Sequence, residues 1–247
     1  MSDLKSLMGV SMHKAGSSVT NGILKTFSQA CGYEIDDISI AAGQSDKPAP
    51  EVFVAAQDQM KPTGVYYGMA RGPYVKDMPA LAGLRLVVQL RDPRDCITSA
   101  YFSYSKSHVP PKDPEQLRKF EARRERLQQK TIDDFAQANA RNYRMRMKVL
   151  SDLLADHPDA LVLKYEEMVT DTDTWMNRIA AFLNIPMTDD LRAKLAEQGD
   201  FSTSGEDVSK HKRQVTPGDH ARKLAPETVA ELNRVLGPVM DRFDYHV

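Results

Sequence analysis

Cysteine is nearly absent from this chain. Its 247 residues hold two, Cys31 and Cys96, too few for a disulfide framework and without the paired spacing of a zinc site. That economy fits a reducing compartment. An excess of one charge is also missing: 33 Lys and Arg offset 34 Asp and Glu, for a formal net charge of −1. No global field therefore steers the protein to nucleic acid or anionic lipid, and any anion site has to be local. No apolar run approaches the roughly 18–20 residues that cross a bilayer. The opening MSDLKSLMGVS contains no apolar core of a secretion signal. These absences lead to the expectation of a cytoplasmic protein with no membrane span, no nucleic-acid partner and no metal site. Oligomeric state leaves no mark in the sequence.

What is present is the balance of an ordinary globular protein, 41% hydrophobic and 27% charged. Short β-branched or aliphatic runs at 7–12, 34–40, 64–70, 84–90 and 160–165 read as strands. Helical periodicity marks 18–31, 94–105, 115–129, 132–156, 172–183, 189–197 and 226–243. This alternation predicts an α/β fold: one P-loop-like domain over residues 1–247, with a central parallel sheet of about five strands and helices on both faces. Residues 41–51 read as a loop, and 52–60 as either helix or strand. The charged segment 115–129 reads as a solvated amphipathic helix or, alternatively, a basic lid over an anionic ligand. Residues 199–220, rich in Gly and Ser, read as a long loop.

Three stretches carry chemistry. The first, MHKAGSSV, leads from a strand through a tight turn into a helix, where the first backbone N–H groups and the helix dipole favour an anion. A Walker A loop has its lysine directly after the last glycine; here Lys14 comes two residues before Gly16. The second, RDPRDCITS, begins where the 84–90 strand ends. It puts Arg91 at the sheet edge, Pro93 at a helix start and Ser99 eight residues beyond the arginine. An arginine fork and a hydroxyl can together hold a phosphate. The third, KHKRQVTPGD, gathers Lys210, Lys212 and Arg213 ahead of a Pro-Gly turn.

Together these stretches resemble the sulfotransferases that use 3′-phosphoadenosine 5′-phosphosulfate (PAPS). That family's phosphosulfate loop reads approximately P-K-S-G-T-T, and HKAGSS aligns Lys14, Gly16, Ser17 and Ser18 with it. Its 3′-phosphate segment, R-x-P-x-D with a serine eight residues past the arginine, is matched by Arg91, Pro93, Asp95 and Ser99. Its R-K-G-x-x-G-D loop is matched in part, by Arg213, Gly218 and Asp219. The segment LVLKYEEM and the C-terminal helical pattern are also similar to the family, so the resemblance covers nearly the whole chain.

The resemblance implies transfer of a sulfuryl group from PAPS to a hydroxyl or amine of a small-molecule, sugar or glycolipid acceptor, with adenosine 3′,5′-bisphosphate (PAP) as product and no metal. It implies that Lys14 faces the bridging oxygen of the donor, and that the backbone from Ala15 to Val19 holds the 5′-phosphate with Ser17 and Ser18 in support. Arg91, Ser99 and Arg213, with Lys212 beside it, are implied for the 3′-phosphate. Tyr165 and Phe201 are candidates for the nucleotide pocket. Where many members carry tryptophan after the loop, this chain has Val19. The usual K-T-H histidine after the third strand is absent, and Arg71 stands near that place. His13 is the first candidate base, with His108 and Asp77 as alternatives. Two other readings stay open: a PAPS- or PAP-binding protein without transfer activity, and a P-loop kinase.

Overall fold

The computed structural model describes residues 4–107, 110, 113–199, 201 and 215–246. Five strands, β1 Leu7–Ser11, β2 Glu34–Ile35, β3 Val65–Ala70, β4 Arg85–Leu90 and β5 Leu161–Lys164, form one sheet in the order β2-β3-β1-β4-β5. Every pair is parallel. Consecutive strand residues point to opposite faces, and β1 and β3 are buried along their whole length. Both faces of the sheet centre are therefore covered, as parallel sheets require. The chain crosses from β1 to its left-hand neighbours and then returns to β4 on the right. Such a reversal leaves a ligand crevice at the carboxyl ends of the strands.

The chain divides into two compact units. The first comprises residues 1–91 and 149–200, the second 92–148 and 201–247. The first holds the sheet together with helices α1 Ser17–Ala30, α2 Ile38–Gln44 and α3 Ala49–Ala56. Helix α1 buries Ser17, Thr20, Asn21, Ile23, Leu24, Phe27 and Ser28, the one-sided spacing of a helix lying on a sheet. The expected strand over 34–40 is realised only as Glu34–Ile35. The Asp37 carboxylate accepts a hydrogen bond from the Ser39 N–H at 3.0 Å and caps α2, so this local cap overrides the apolar pattern of Ile35, Ile38 and Ile40. Residues 41–44 accordingly finish a helix instead of opening a loop, and the ambiguous 52–60 segment belongs largely to α3.

The second unit holds α4 Pro93–Phe102, α5 Pro114–Gln128 and the start of α6 Ile132–Asp156, whose last turns belong to the first unit. Helix α5 buries only Leu127, which matches the solvated amphipathic reading of that segment. After β5, the first unit continues with α7 Tyr165–Thr170, α8 Thr172–Leu183 and α9 Asp189–Ala196. Tyr165, expected to end a strand, instead opens α7, with Glu166 and Glu167 in the first turn where the dipole favours them. The second unit closes with α10 Asp219–Lys223 and α11 Pro226–Met240. Among the described residues no helix is long and apolar enough to cross a membrane, and no group of three or more His, Cys, Asp or Glu is placed to hold a metal.

A polar cluster is built into the first unit beside β3. Asp37 Oδ2 accepts from Asn21 Nδ2 at 2.8 Å and lies 2.5 Å from Lys25 Nζ. Ser39 donates to Oδ1 through its backbone N–H and its hydroxyl. Asn21 Oδ1 in turn accepts from the Tyr66 hydroxyl at 2.7 Å. Gly68, in the middle of β3 with φ 78°, makes room: a Cβ there would meet Asp37 Oδ1 at 1.9 Å. Burial alone would raise the Asp37 carboxyl, but hydrogen bonds from Lys25, Ser39 and Asn21 and the Lys25 charge outweigh it and hold the group below its ordinary value. Tyr66, fully buried and close to that carboxylate, is pushed well above the usual phenol range.

Candidate active site

β1 and β4 lie side by side, with Ser11 opposite Gln89. Beyond Ser11 the chain turns through Met12, His13 and Lys14 into α1; beyond Gln89 it reaches Arg91. The turn is made by two left-handed residues, Lys14 at φ 72° and Gly16 at φ 80°. Ala15 N–H bonds back to Met12 O at 3.2 Å, and Val19 and Thr20 N–H both bond to Gly16 O. No side chain caps the helix at Gly16. Left-handed residues set into such a turn aim successive N–H groups at one point, and an α-helix leaves its first donors without intrahelical partners. This turn is where the sequence reading places Ala15, Gly16, Ser17, Ser18 and Val19. Ala15 and Ser17 are buried, Ser18 is exposed, and Gly16 and Val19 are partly covered.

Arg91 locks this loop to β4. Only 5% of it is exposed, and its Nη1 donates to Lys14 O at 3.1 Å. Its guanidinium carbon lies over the Tyr165 ring, 4.0 Å from the centroid, a cation–π contact. Tyr165 also touches the loop. A Cβ at Gly16 would come within 2.8 Å of Tyr165 Cδ2 and 3.0 Å of Met168 Cε. Lys14, Gly16, Arg91 and Tyr165, all singled out from sequence, thus form one packed group, and Tyr165 is its centre. Gly16→Ala combines a left-handed conformation disfavoured for L-residues with that overlap, and a loss of about 2 kcal/mol is expected. Thermal unfolding checks it: an unchanged midpoint would mean that Tyr165 yields freely.

The remaining sequence candidates are placed as follows. His13 lies half-buried in the turn beside Lys14. Asp77 is exposed and 3.4 Å from Lys76, whose ammonium also reaches Asp156 at 3.2 Å. Arg71 is exposed directly after β3. In the second unit Ser99 lies in α4, and it alone of residues 91–100 is not buried. Phe201 is partly covered. His108, Lys212 and Arg213 lie outside the described residues. Sequence reading overlooked two constellations. One is the Lys25–Asp37–Asn21 cluster, whose only local signal is a pair of polar residues one turn apart on α1. The other is a contact between Asp95 and His220, 125 positions apart, which no local pattern announces.

A parallel sheet with a strand–turn–helix loop at its switch point is a P-loop-like α/β fold. The family model of the sulfotransferase domain matches residues 81–244, more than half of the chain, and the chain belongs to that family. No curated protein sequence matches it. Among solved structures it is similar to mouse sulfotransferase SULT7A1 complexed with PAP, at 16% identity, covering 97% of this chain and 86% of that one with a TM-score of 0.63. Retinol dehydratase in complex with androsterone and inactive cofactor PAP is 16% identical, with 98% and 82% covered and a TM-score of 0.64. The sulfotransferase domain from the curacin biosynthetic pathway is 12% identical over 100% of both chains, with a TM-score of 0.51. At these identities the likeness extends to the fold.

Proposed function

We propose that this sulfotransferase takes its sulfuryl group from PAPS and delivers it to a hydroxyl or amine of a small-molecule, sugar or glycolipid acceptor, as one cytoplasmic domain spanning residues 1–247 and without a metal. One observation carries the reading: Arg91, buried and stacked on Tyr165, is tied to the backbone of the lysine that precedes the anion loop. A buried guanidinium held between a ring and a backbone carbonyl suits an oxyanion ligand, because a guanidinium fork can pair with two oxygens at once.

In this reading the loop from Ala15 to Val19 holds the 5′-phosphosulfate through the N–H groups of Gly16, Ser17 and Ser18, with the Ser17 and Ser18 hydroxyls in support, while the Ala15 and Val19 N–H groups close the turn on Met12 O and Gly16 O. Arg91 serves the 3′-phosphate, and Tyr165 lines the nucleotide pocket. Ser99, Phe201, Lys212 and Arg213 take the donor-binding roles that the resemblance gives them. Transfer breaks the bond between sulfur and the bridging oxygen and forms one to the acceptor oxygen or nitrogen, which gives up a proton. Such loose displacements need positioning and charge stabilisation from the protein more than covalent chemistry. Lys14 stabilises charge on the departing oxygen. His13 is the nearest titratable group in sequence to take the acceptor's proton.

Calorimetric titration tests the donor assignment. Metal-free protein is expected to bind PAP well ahead of AMP or ATP, and Arg91→Ala to lose roughly 2–3 kcal/mol of that affinity through the removed charge-assisted bonds. Equal affinity for PAP and AMP would overturn it. A requirement for ATP and Mg²⁺ would return the protein to the kinase reading, and donor binding without transfer of labelled sulfate to any acceptor would leave a binding protein.

A further inference from the structure

Asp95, in the first turn of α4, is fully buried in the second unit. A buried carboxylate has to be matched by donors, and here they come from one short turn. Oδ2 accepts from Gly218 N–H at 2.8 Å and Oδ1 from His220 N–H at 2.9 Å, while His220 Nδ1 lies 2.6 Å from the same Oδ1. Gly218 adopts φ 78°, a conformation open to glycine at little cost, which lets its N–H face back to α4. The rest of the α4 start is held just as firmly. Arg94 makes a two-pronged pair with Asp92 and bonds Asn233 Oδ1 at 2.8 Å and His246 O at 3.2 Å.

One helical turn beyond Asp95, on the same face of α4, stands Ser99. A buried polar contact of this kind is weak evidence for stability, because apolar packing of the same volume does as well; what it provides is fixed geometry. We propose that Asp95 and His220 are positioning residues. They fasten the turn at 218–220 to the first turn of α4 and so fix where the Ser99 hydroxyl stands for recognition of a 3′-phosphate. This rests on the donor reading above. Neither residue has to touch the donor; Asp95 is sealed from solvent and acts through the helix that carries Ser99.

The test compares PAP with AMP, which differ by the 3′-phosphate, on the full chain and on Asp95→Asn, His220→Gln and the double variant. The expected result is a roughly tenfold loss of PAP affinity in each variant with AMP affinity unchanged, since displacing a positioned group by an ångström costs on that order or more. Two residues acting as one device should not add, so the double variant should lose no more than either single. In turnover, KM for PAPS should rise while kcat holds. Should Asp95→Asn fail to fold, His220→Gln decides alone, because it keeps the backbone donors. Parallel losses for PAP and AMP, or unchanged selectivity in folded variants, would overturn the clamp while leaving the donor site standing. A wild-type protein indifferent to the 3′-phosphate would instead overturn the donor site, and the clamp with it.

Discussion

Lys14→Gln is expected to lower kcat for sulfuryl transfer by about 10²- to 10³-fold while PAP affinity changes only a few-fold. Those are the losses seen when one donor aimed at developing transition-state charge is removed. The split follows from where the charge is needed. PAP carries no sulfuryl group, so the product tests the loop, Arg91 and the nucleotide pocket without the bond that breaks. In the proposed reading the ammonium acts when the bridging oxygen takes on charge. Lys14 sits at φ 72°, a conformation that costs an L-residue about 1–2 kcal/mol. Glutamine occupies it at similar cost, so a loss of activity will not be a disguised loss of fold. Labelled-sulfate transfer at saturating donor measures the effect. An unchanged kcat would remove Lys14 from the chemistry, and equal loss of PAP binding and turnover would make it a ground-state ligand.

Asp37→Ala is expected to destabilise the protein by about 3 kcal/mol, the lower part of the range for breaking a buried pair by removing one member. The partner side chains set that choice. Lys25 keeps 28% of its side chain exposed and can turn toward water, whereas Asp37 is 2% exposed and its variant strands Asn21 Nδ2 and the Ser39 N–H. Asp37→Asn should lose less, since its oxygen still accepts. The effect carries a pH signature. The folded-state carboxyl lies below its ordinary 3.8, so its contribution is full above that value and is lost as pH falls through the lower folded value. Urea unfolding at pH 7 and again at pH 3 should therefore show the wild-type advantage shrinking in acid. A constant difference would mean that folding does not shift the Asp37 carboxyl at all.

How much of this was open to reading from sequence depends on the range of the forces involved. The strands at 7–12, 64–70 and 84–90 were legible because buried parallel strands are short apolar runs with sharp ends. The helices at 132–156 and 172–183 appear with the same bounds in the structure, because long amphipathic periods leave little choice. The 34–40 segment was misread because a single Asx cap, worth about 1 kcal/mol, decides between continuing a strand and starting a helix. Lys14, Gly16 and Arg91 could be named because strand–turn–helix chemistry is local. That Tyr165 joins them could only be suggested, as it opens α7 beyond β5, far along the chain from β1.

By itself the sequence determined the fold class, the strand–turn–helix loop and the place of the lysine ahead of it, since composition, periodicity and turn residues act over a few positions. Only the tertiary structure decided what supports them. The Arg91 guanidinium rests over a ring 74 positions away, the Asp37 cluster exists because Gly68 leaves space for it, and Asp95 finds its donors 125 positions down the chain. Buried polar groups must be satisfied, but nothing local says by which partner; sheet order and register bring the partners together.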